Sequence, residues 1–441
     1  MVAIANKPTT RDKKRSPVLD GVRGLCALGV LWGHVAFSTI VVSSAMGPKH
    51  HSIWQVLAAG QLSLGPFFIM SGWLLYRPFA RRTFGVNSTK PALGKFFLRR
   101  ASRIVPAFWL VVTFDLLVLN YSLLHGPWDV LRPYVLAHVY DFHYYLGMDV
   151  LWTVPTEMQF YLALPVIAWI MHLLARRVSD PVRKARLMLI PLALMVAVEL
   201  GWETYVHHHY GPWPPQFFYP FSVTGLFALG MAMAVWSALN EAAPDRKPAF
   251  YRLAAKRPYL FWLGAAIAYA VNCAQPFGTP GTADWQTVPA FLVRDCMQLA
   301  SAFLLMVPLI VPGATRPFME KTLGNPVLAY LGRISYGIYL WHFTIMYLRF
   351  QSGSVFGKTV PVQMLLGKFT FWELFIPTVL GTVAAASLSY YLVERPVIKL
   401  VERKVHWKSQ SLGGQATAVP ASANGASPAP ERREERRSAA L

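Results

Sequence analysis

Stretches of about 20 mostly apolar residues recur along the sequence, and this recurrence limits the possible folds more than any other feature. A helix of about 20 residues is about 30 Å long, which matches the hydrocarbon thickness of a bilayer. Hydrophobic residues make up 54% of the 441 residues and charged residues only 14%, too few for an ordinary water-soluble surface. We therefore predict an all-α polytopic membrane protein with a bundle of about ten transmembrane helices. The predicted spans are 18–42, 56–76, 104–124, 151–174, 187–206, 218–239, 258–274, 289–311, 328–349 and 372–393.

Basic residues concentrate on alternate sides of the predicted spans. They precede the first span and fill the segments 77–103, 176–186 and 246–257, whereas the intervening connections carry few of them. Because cytoplasmic loops are enriched in lysine and arginine, this alternation predicts that the N- and C-termini are both cytoplasmic, in agreement with an even number of spans. Topology also accounts for the formal net charge of +21, so we expect no nucleic acid as a partner.

The chain divides into three predicted regions of different composition. Residues 1–17 form a basic cytoplasmic N-terminus, 18–400 a single membrane domain, and 401–441 a cytoplasmic tail rich in Ala, Ser, Pro, Gly, Arg and Glu. Such a tail buries too little apolar surface to become ordered, so we expect it to be mostly disordered. The first span follows a basic run as a signal peptide does, but Arg23 and His34 interrupt it, and we expect it to be retained.

Arg23 and His34 lie inside the first predicted span, where ionisable side chains are costly and are therefore functional candidates. Their separation of eleven residues corresponds to about three helical turns and roughly 16 Å, so both project from nearly the same face. Asp20 is placed to cap the start of the helix and to accept a hydrogen bond from Arg23. A structural Arg–Asp pair and a hydrogen-bonded core histidine explain the same residues equally well. Further ionisable residues predicted within spans include Asp115, Glu199, Arg294 and Asp295.

A carboxylate, Glu157, lies near the start of the fourth predicted span, after a connection predicted to lie on the outer side. From the membrane face opposite Arg23 it would orient or deprotonate His34, or bind an acceptor, if the two helices meet. Tyr161 follows one turn later on the same helix face. The alternative is an interfacial glutamate that extends toward water beside Trp152.

Arg99, Arg100 and Arg103 cluster just before the third predicted span. Arg100 and Arg103 share a helix face, and forked guanidinium groups bind phosphate well. A nucleotide-bearing donor such as a coenzyme A thioester would therefore find partners here. Ordinary anchoring by cytoplasmic basic residues is the alternative explanation.

Arg333 and His342 lie at the two ends of an aromatic stretch in the ninth predicted span. Their separation of nine residues places them on opposite faces of one helix, so we expect one of them to be structural. The three histidines at 207–209 fall in a predicted outer loop without acidic or cysteine partners. We therefore expect no metal site there.

Six short motifs follow one another along the chain. They are LDGVRGLCALGVLWGH (19–34), PFFIMSGWLLYRP (66–78), the R-x-x-R pattern of Arg100 and Arg103, LWTVPTEMQFY (151–161), RISYGIYLWH (333–342) and YLVERP (391–396). In this order they resemble the signatures of the acyltransferase-3 family of integral membrane O-acyltransferases, over residues 18 to about 400. One departure is Trp73, which stands where many relatives have phenylalanine.

The resemblance implies a bundle of about ten helices, in the bacterial plasma membrane, that takes an acyl group, often acetyl, from cytoplasmic acyl-CoA. The implied acceptor is a hydroxyl of a sugar, polysaccharide or glycolipid at the outer face. Acyl-CoA would be a co-substrate, and we expect no permanently bound cofactor and no metal. Some relatives carry a soluble esterase-like domain after the membrane part; here we expect the bundle alone to complete the transfer.

The matched positions assign roles to residues of this chain. His34 is implied to be the central catalytic residue, assisted by Arg23, and Glu157 is implied to be a catalytic or acceptor-side carboxylate. The donor-binding candidates are Arg100, Arg103 and the adjacent Arg99. The supporting candidates are Asp20, Ser71, Tyr161, Arg333 and His342. Whether His34 acts as a general base or carries the acyl group transiently stays open.

The leading rival interpretation is a membrane transporter or flippase for a lipid or glycan precursor. Intramembrane arginine, histidine and glutamate also serve proton relays and substrate pathways in transporters. That interpretation does not explain the R-x-x-R pattern together with the ordered motifs. A non-catalytic membrane scaffold is a third possibility, but it gives the many buried charges no purpose.

Overall fold

The computed structural model describes residues 16–46, 64–87, 89, 91–140, 145–210, 215–274, 287–352 and 369–404, and every regular element within these ranges is helical. The α-helices described, numbered in chain order, are α1 Pro17–Met46, α2 Gly65–Thr83, α3 Leu93–Val118, α4 Pro127–Tyr134, α5 Thr153–Ala175, α6 Pro181–Tyr210, α7 Thr224–Ala242, α8 Ala249–Lys256, α9 Pro258–Ala274, α10 Val288–Ile310, α11 Pro317–Leu323, α12 Pro326–Arg333, α13 Ser335–Ser352 and α14 Phe371–Ser389. A π-helical turn, Tyr390–Glu394, connects α14 to a last helical stretch that ends at residue 404.

Seven helical stretches in the described ranges are long and apolar enough to cross a membrane. They are Pro17–Thr39, Leu93–Val118, Thr153–Ala175, Pro181–Tyr210, Pro220–Ala242, Val288–Ile310 and Phe371–Lys404. Large apolar side chains cover their outward faces; Leu162, Leu194 and Leu388 are 63%, 64% and 62% exposed. An apolar surface of this kind suits lipid rather than water. The predicted all-α membrane fold is therefore confirmed.

The other three predicted spans also coincide with helices, but with different bounds. The second falls on α2, and its residues 56–63 lie outside the described ranges. The seventh matches α9, which has 17 residues. The ninth is divided between α12 and α13. The count of about ten spans and the cytoplasmic location of both termini stay predictions.

Several helices extend beyond the apolar segments from which they were predicted. α3 begins at Leu93, eleven residues before the predicted third span, so the three arginines at 99, 100 and 103 belong to the helix itself. α6 continues to Tyr210, so the predicted outer loop at 207–209 is wrong and the histidines form its last turn. Hydropathy marks the lipid-embedded part of a helix rather than its ends. The predicted tail lies outside the described ranges from residue 405 on.

α1 packs closely against α12, backbone to backbone. A Cβ atom on Gly332 would lie 1.8 Å from the Asp20 carbonyl oxygen, and one on Gly24 would lie 2.8 Å from the Leu328 carbonyl oxygen. Neither position admits a side chain, because the obstructing atoms are backbone atoms that cannot move aside cheaply. α13 continues beside α1, so this contact fixes which residues of α13 face His34.

Residues 145–152 form a largely buried, irregular segment that leads into α5. Asn120, which is 0% exposed, holds this segment against the end of α3. Its side-chain Nδ2 donates to the carbonyl oxygens of Asp115 at 2.9 Å and Leu146 at 3.0 Å, and its Oδ1 accepts from the Leu146 amide at 2.8 Å. Irregular backbone inside a membrane protein is tolerated where protein buries it and supplies such partners. The segment thus starts α5 at Thr153, next to α13.

Candidate active site

His34 of α1 and His342 of α13 face each other inside the bundle, and we refer to them as the histidine pair. Nδ1 of His34 lies 3.0 Å from Nε2 of His342. The two rings stack with centroids 5.1 Å apart and planes 27° apart, and Phe343 meets His34 edge-on. His342 is 0% exposed, whereas His34 is half-buried, so His34 is the member that a substrate can reach.

The hydrogen bonds of the pair determine where the protons lie when both rings are neutral. Nδ1 of His342 is 2.7 Å from the carbonyl oxygen of Tyr339, which can only accept, so this Nδ1 carries the proton. Nε2 of His342 is then a lone-pair acceptor, and Nδ1 of His34 donates to it. The remaining nitrogen of His34, Nε2, is left with a free lone pair. This is the tautomer that a general base or a nucleophile requires.

The structure separates Arg333 from His342. The sequence predicts opposite faces of one helix, but the chain breaks at Ile334, so Arg333 ends α12 and His342 belongs to α13. Arg333 is exposed and lies over the Tyr330 ring at 5.5 Å. Of the two supporting candidates, only His342 contacts His34.

Tyr336 and Tyr339 share the His342 face of α13, at successive intervals of three residues. The Tyr339 hydroxyl donates to the Val150 carbonyl oxygen at 2.8 Å and accepts from Thr153 at 3.0 Å. The Tyr336 hydroxyl donates to the carbonyl oxygen of Ile104, in α3, at 3.0 Å. These bonds anchor α13 to α3 and to the start of α5. Sequence reasoning missed both tyrosines, although their regular spacing before His342 was visible.

Glu157 of α5 lies in a second polar group with Ser71, Tyr161 and Arg100, which we call the carboxylate cluster. Oε1 of Glu157 accepts a hydrogen bond from the Ser71 hydroxyl at 3.0 Å and another from the Tyr161 hydroxyl. The Arg100 guanidinium lies over the Tyr161 ring, 5.8 Å from its centroid. Three helices, α2, α3 and α5, thus bring together residues that the sequence marked separately.

The three predicted donor-binding arginines differ in their surroundings. Arg100 and Arg103 are both half-buried, and the charge of each acts on Tyr161. The charge of Arg103 also acts on the buried Glu394 of the π-helical turn. Arg99 is exposed and contributes its carbonyl oxygen to a hydrogen bond with Ser102 inside α3. Arg100 and Arg103 therefore face the bundle, as their shared helix face predicted.

Glu157 forms its described hydrogen bonds away from the histidine pair. The sequence predicts that Glu157, at the membrane face opposite Arg23, orients or deprotonates His34 or binds an acceptor. In the structure its hydrogen-bond partners are Ser71 and Tyr161, beside an arginine of the R-x-x-R pattern. The side chain within hydrogen-bond distance of the His34 ring is that of His342, at 3.0 Å. The buried segment 145–152 begins α5 beside Tyr339, and Glu157 follows one turn later on that helix.

The start of α1 differs slightly from the prediction. Ser16 precedes the helix, and its hydroxyl oxygen accepts from the Leu19 amide at 3.5 Å, so Ser16 rather than Asp20 takes the capping position. Asp20 lies in the first turn, where its buried backbone packs on Gly332. Arg23 is half-buried next to Cys26, on the same helix as His34 as predicted.

Other ionisable residues predicted within spans have separate partners. Glu199 accepts from the Gly225 amide at 2.7 Å, at the first turn of α7, where a carboxylate complements the helix dipole. Arg294 pairs with Asp295 at 3.5 Å. Among the described residues, no group of three or more His, Cys, Asp or Glu side chains is arranged to hold a metal ion.

Comparison with known proteins decides the family. The sequence profile of a family described as an acyltransferase domain, acyltransferase-3, matches residues 17–394. The protein belongs to this family. The match includes every helix from α1 to α14 and the whole of the histidine pair and the carboxylate cluster. With its apolar helices, membership makes the chain an integral, multi-pass membrane protein, as the sequence predicted.

Several bacterial relatives are similar to the acyltransferase chain. A Staphylococcus aureus protein assigned as an O-acetyltransferase is 23% identical over 91% of this chain and 61% of its own length. A Bacillus subtilis protein assigned as a peptidoglycan O-acetyltransferase is 24% identical, over 88% and 56%. The peptidoglycan O-acetyltransferase of Listeria monocytogenes is 25% identical, over 89% and 57%. The chain thus spans about three fifths of the length of these relatives. No solved structure matches it.

Proposed function

We propose that this acyltransferase moves an acyl group, acetyl or another short acyl, from cytoplasmic acyl-CoA to a hydroxyl of a cell-envelope glycan such as peptidoglycan. Family membership and the names of the relatives support an O-acyl transfer. The observation that carries the proposal is the chain of hydrogen bonds from Tyr339 through His342 to His34, which leaves Nε2 of His34 unprotonated.

His34 activates the acceptor in this proposal. Nε2 of His34 removes the proton of the acceptor hydroxyl while the hydroxyl oxygen attacks the thioester carbonyl carbon. The C–S bond then breaks, coenzyme A leaves as the thiolate, and the proton held on His34 passes to that thiolate. His342 holds the His34 ring in one tautomer and disperses the positive charge that forms on it, as a hydrogen-bonded partner does in other imidazole bases.

A covalent route uses the same nitrogen. Nε2 of His34 would attack the thioester carbonyl carbon, the C–S bond breaks, and the thiolate takes up the proton that the acylated ring loses from Nδ1. The acceptor hydroxyl then takes the acyl group, and its proton returns to the imidazole. Both routes consume one thioester and form one ester. Acid quenching with labelled acyl-CoA and no acceptor distinguishes them, because only the covalent route leaves the label on the protein.

The carboxylate cluster and the half-buried arginines bind the donor in this proposal. Arg100 and Arg103 have the forked donors that phosphate groups favour. Arg23, on the helix that carries His34, would stabilise negative charge on the donor side. The diphosphate of acyl-CoA would thus lie near the basic end of α3 while the neutral thioester reaches the histidine pair.

The test measures transfer by purified protein in lipid nanodiscs, with radiolabelled acetyl-CoA and soluble glycan fragments as acceptor. We expect His34→Ala to lower the rate by about 10²–10⁴-fold, the usual contribution of a general acid–base group. The matched control is His208→Ala, which removes an exposed histidine of α6 and should leave the rate unchanged. Full activity of His34→Ala would refute the catalytic role.

The same preparation separates transfer from transport. Sealed proteoliposomes that move a glycan precursor without consuming thioester would favour the transporter interpretation. The acceptor and the acyl group are identified by mass spectrometry of envelope glycans from a deletion strain and its complemented strain. A single mass difference gives both the acyl chain and the modified sugar.

A further inference from the structure

A second group of basic side chains lies where α2, α5 and α6 meet, away from the histidine pair. Thr83, in the last turn of α2, connects them. Its hydroxyl oxygen is 3.1 Å from Nδ1 of His172, and its carbonyl oxygen accepts from Nζ of Lys184 at 3.3 Å. Arg82 precedes Thr83 in α2, and Arg176 follows His172 by one turn at the end of α5. We refer to Arg82, His172, Arg176 and Lys184 as the His172 cluster.

The cations of the His172 cluster are paired with no acid among the described residues. In the part of the chain that the structure describes, Arg82, Arg176 and Lys184 form no ion pair, yet all three charges act on the His172 ring. Like charges that all act on one ring also repel one another. An anion between them would remove that repulsion.

The acid nearest in sequence to the cluster is engaged elsewhere. Asp180 accepts from the Arg183 amide at 2.8 Å, at the start of α6. Its other carboxylate oxygen pairs with Arg246. Asp180 therefore does not neutralise the His172 cluster.

The neighbouring arginines of α2 show the ordinary arrangement. Arg77 lies 2.9 Å from one carboxylate oxygen of Glu241, and Arg81 lies 2.7 Å from the other. One acid of α7 thus forms ion pairs with two cations of α2. Arg82, the next residue, forms no ion pair with any described acid. Anchoring at the membrane surface requires basic residues near helix ends, but it does not require three of them to converge on one imidazole.

We propose that the His172 cluster binds a phosphate group. Two arginines supply forked donors and Lys184 a point charge, the combination that phosphate sites use. The Thr83 hydroxyl donates to the Phe79 carbonyl oxygen at 3.2 Å, so it accepts from Nδ1–H of His172 and fixes the ring. Thr83 thus orients the one side chain on which the three cations converge.

Two sources of phosphate reach this place: the nucleotide end of acyl-CoA and the headgroup of an anionic lipid. His172 follows Tyr161 by eleven residues on α5, about three helical turns. It therefore lies on nearly the same helix face as Tyr161, roughly 16 Å along the helix axis from the carboxylate cluster. That placement favours the nucleotide end of an extended donor whose thioester lies at the histidine pair. The nucleotide assignment rests on the proposed function, whereas the phosphate site does not.

The nucleotide arm of the test uses the full chain in phosphatidylcholine nanodiscs and adenosine 3′,5′-bisphosphate as the probe, with calorimetry as the measurement. We expect Lys184→Gln to weaken binding roughly tenfold, the effect of losing one charge-assisted contact. Arg186→Gln is the matched control, because it removes the same charge from an exposed position of the same helix and should bind as the unmodified chain does.

The lipid arm adds phosphatidylglycerol to the nanodiscs and counts retained lipids by native mass spectrometry. If Lys184→Gln loses retained phosphatidylglycerol while nucleotide binding is the same in all variants, the phosphate site stands and the lipid supplies the phosphate. The double variant Arg82→Gln/Arg176→Gln should act as Lys184→Gln does, which keeps the test valid if one variant fails to fold.

The proposal is overturned if neither anion depends on Lys184, Arg82 or Arg176 more than on Arg186 in folded protein. Binding is measured at equilibrium without turnover, so inactivity of the protein toward acyl-CoA does not affect the result. Failure of the phosphate site and failure of the proposed function are therefore distinguishable.

Discussion

The histidine pair and the carboxylate cluster are held in place by different means. His34 occupies its position because α1 and α12 meet backbone to backbone at Gly24 and Gly332, so the neighbouring α13 presents His342 to it. Glu157 is held by side-chain hydrogen bonds from other residues, Ser71 on another helix and Tyr161 on its own. The difference shows that helix packing sets the geometry of the base, whereas single hydroxyl groups set that of the carboxylate.

The two regions also differ in their charge. The hydrogen-bond chain of the histidine pair ends on a backbone carbonyl oxygen and needs no charged group. The carboxylate cluster contains the acid Glu157 and the guanidinium of Arg100, which lies over the ring of Tyr161, the donor to that acid. A donor with a charged nucleotide and a neutral thioester fits this division. Its charged part would lie toward the charged side chains, and its thioester would lie at the uncharged histidine pair. Substitutions should therefore affect the chemical step in one region and donor binding in the other.

The largest effect that tests this comparison is expected at His342. His342→Ala removes the acceptor for Nδ1–H of His34, so the His34 ring loses its fixed tautomer, and we expect kcat to fall about 100-fold. His342→Gln should recover much of that loss, because the amide oxygen of glutamine can occupy the position of Nε2 and accept the same hydrogen bond. Initial rates with labelled acetyl-CoA measure both.

Rescue by glutamine separates orientation from mere packing. A His342→Leu variant preserves bulk but offers no acceptor, and it should resemble the alanine variant. Equal activity of the glutamine and leucine variants would show that His342 only fills space. Their similar thermal stability in nanodiscs would confirm that folding is not the cause.

The membrane fold and the residues of the histidine pair were predictable from the sequence, but not how they meet. The apolar segments and the motifs marked His34, His342 and Glu157 as functional candidates. Which of them touch depends on the break at Ile334, where α12 ends and α13 begins, and on where α5 begins. A helical wheel assumes one continuous helix, so it placed Arg333 and His342 on opposite faces of an element that does not exist.

The buried segment 145–152 decides where α5 begins. Two hydrogen bonds between Asn120 and Leu146 hold this segment, and Asn120 is distant from it in sequence. Contacts of this kind are long-range, and a single sequence does not reveal them. The tyrosines at 336 and 339 had a visible spacing, but tyrosine in a membrane span is more often part of an aromatic belt.

The second-largest effect is expected at Glu157. Glu157→Gln keeps an oxygen that accepts from Ser71 and Tyr161 but removes the charge beside Arg100, so we expect kcat/KM for acyl-CoA to fall about 30-fold, mostly through KM. Steady-state kinetics with varied acyl-CoA measure it. Glu320→Gln, at an exposed position of α11, is the control and should have no effect. A loss confined to kcat would instead place Glu157 in the chemical step.

Tyr339 tests the histidine pair from its backbone side. Tyr339→Phe removes one donor to the Val150 carbonyl oxygen, which keeps those of Thr153, and loosens the turn whose carbonyl oxygen holds His342. A hydrogen bond of this kind contributes up to about 1.5 kcal/mol, so we expect kcat to fall up to about tenfold with little change in KM for acyl-CoA. Tyr330→Phe removes a comparable helix-to-helix bond, to Ser387, from α12 rather than from α13, and should lower stability without lowering kcat. Equal kcat and KM in the two variants would show that Tyr339 does not position His342.

The smallest effect is expected at Ser71. It tests the difference between the histidine pair and the carboxylate cluster most directly. Ser71→Ala removes one of two hydrogen bonds to Glu157, worth about 1 kcal/mol, so we expect KM for acyl-CoA to rise about fivefold while kcat is unchanged. Ser301→Ala removes a buried hydroxyl that bonds only within α10, and it should leave both constants unchanged. Because packing holds the histidine pair and hydroxyl groups hold the carboxylate, the Ser71 change should reach the donor and leave the base untouched. A fall in kcat with constant KM would mean that losing this hydrogen bond also disturbs the histidine pair.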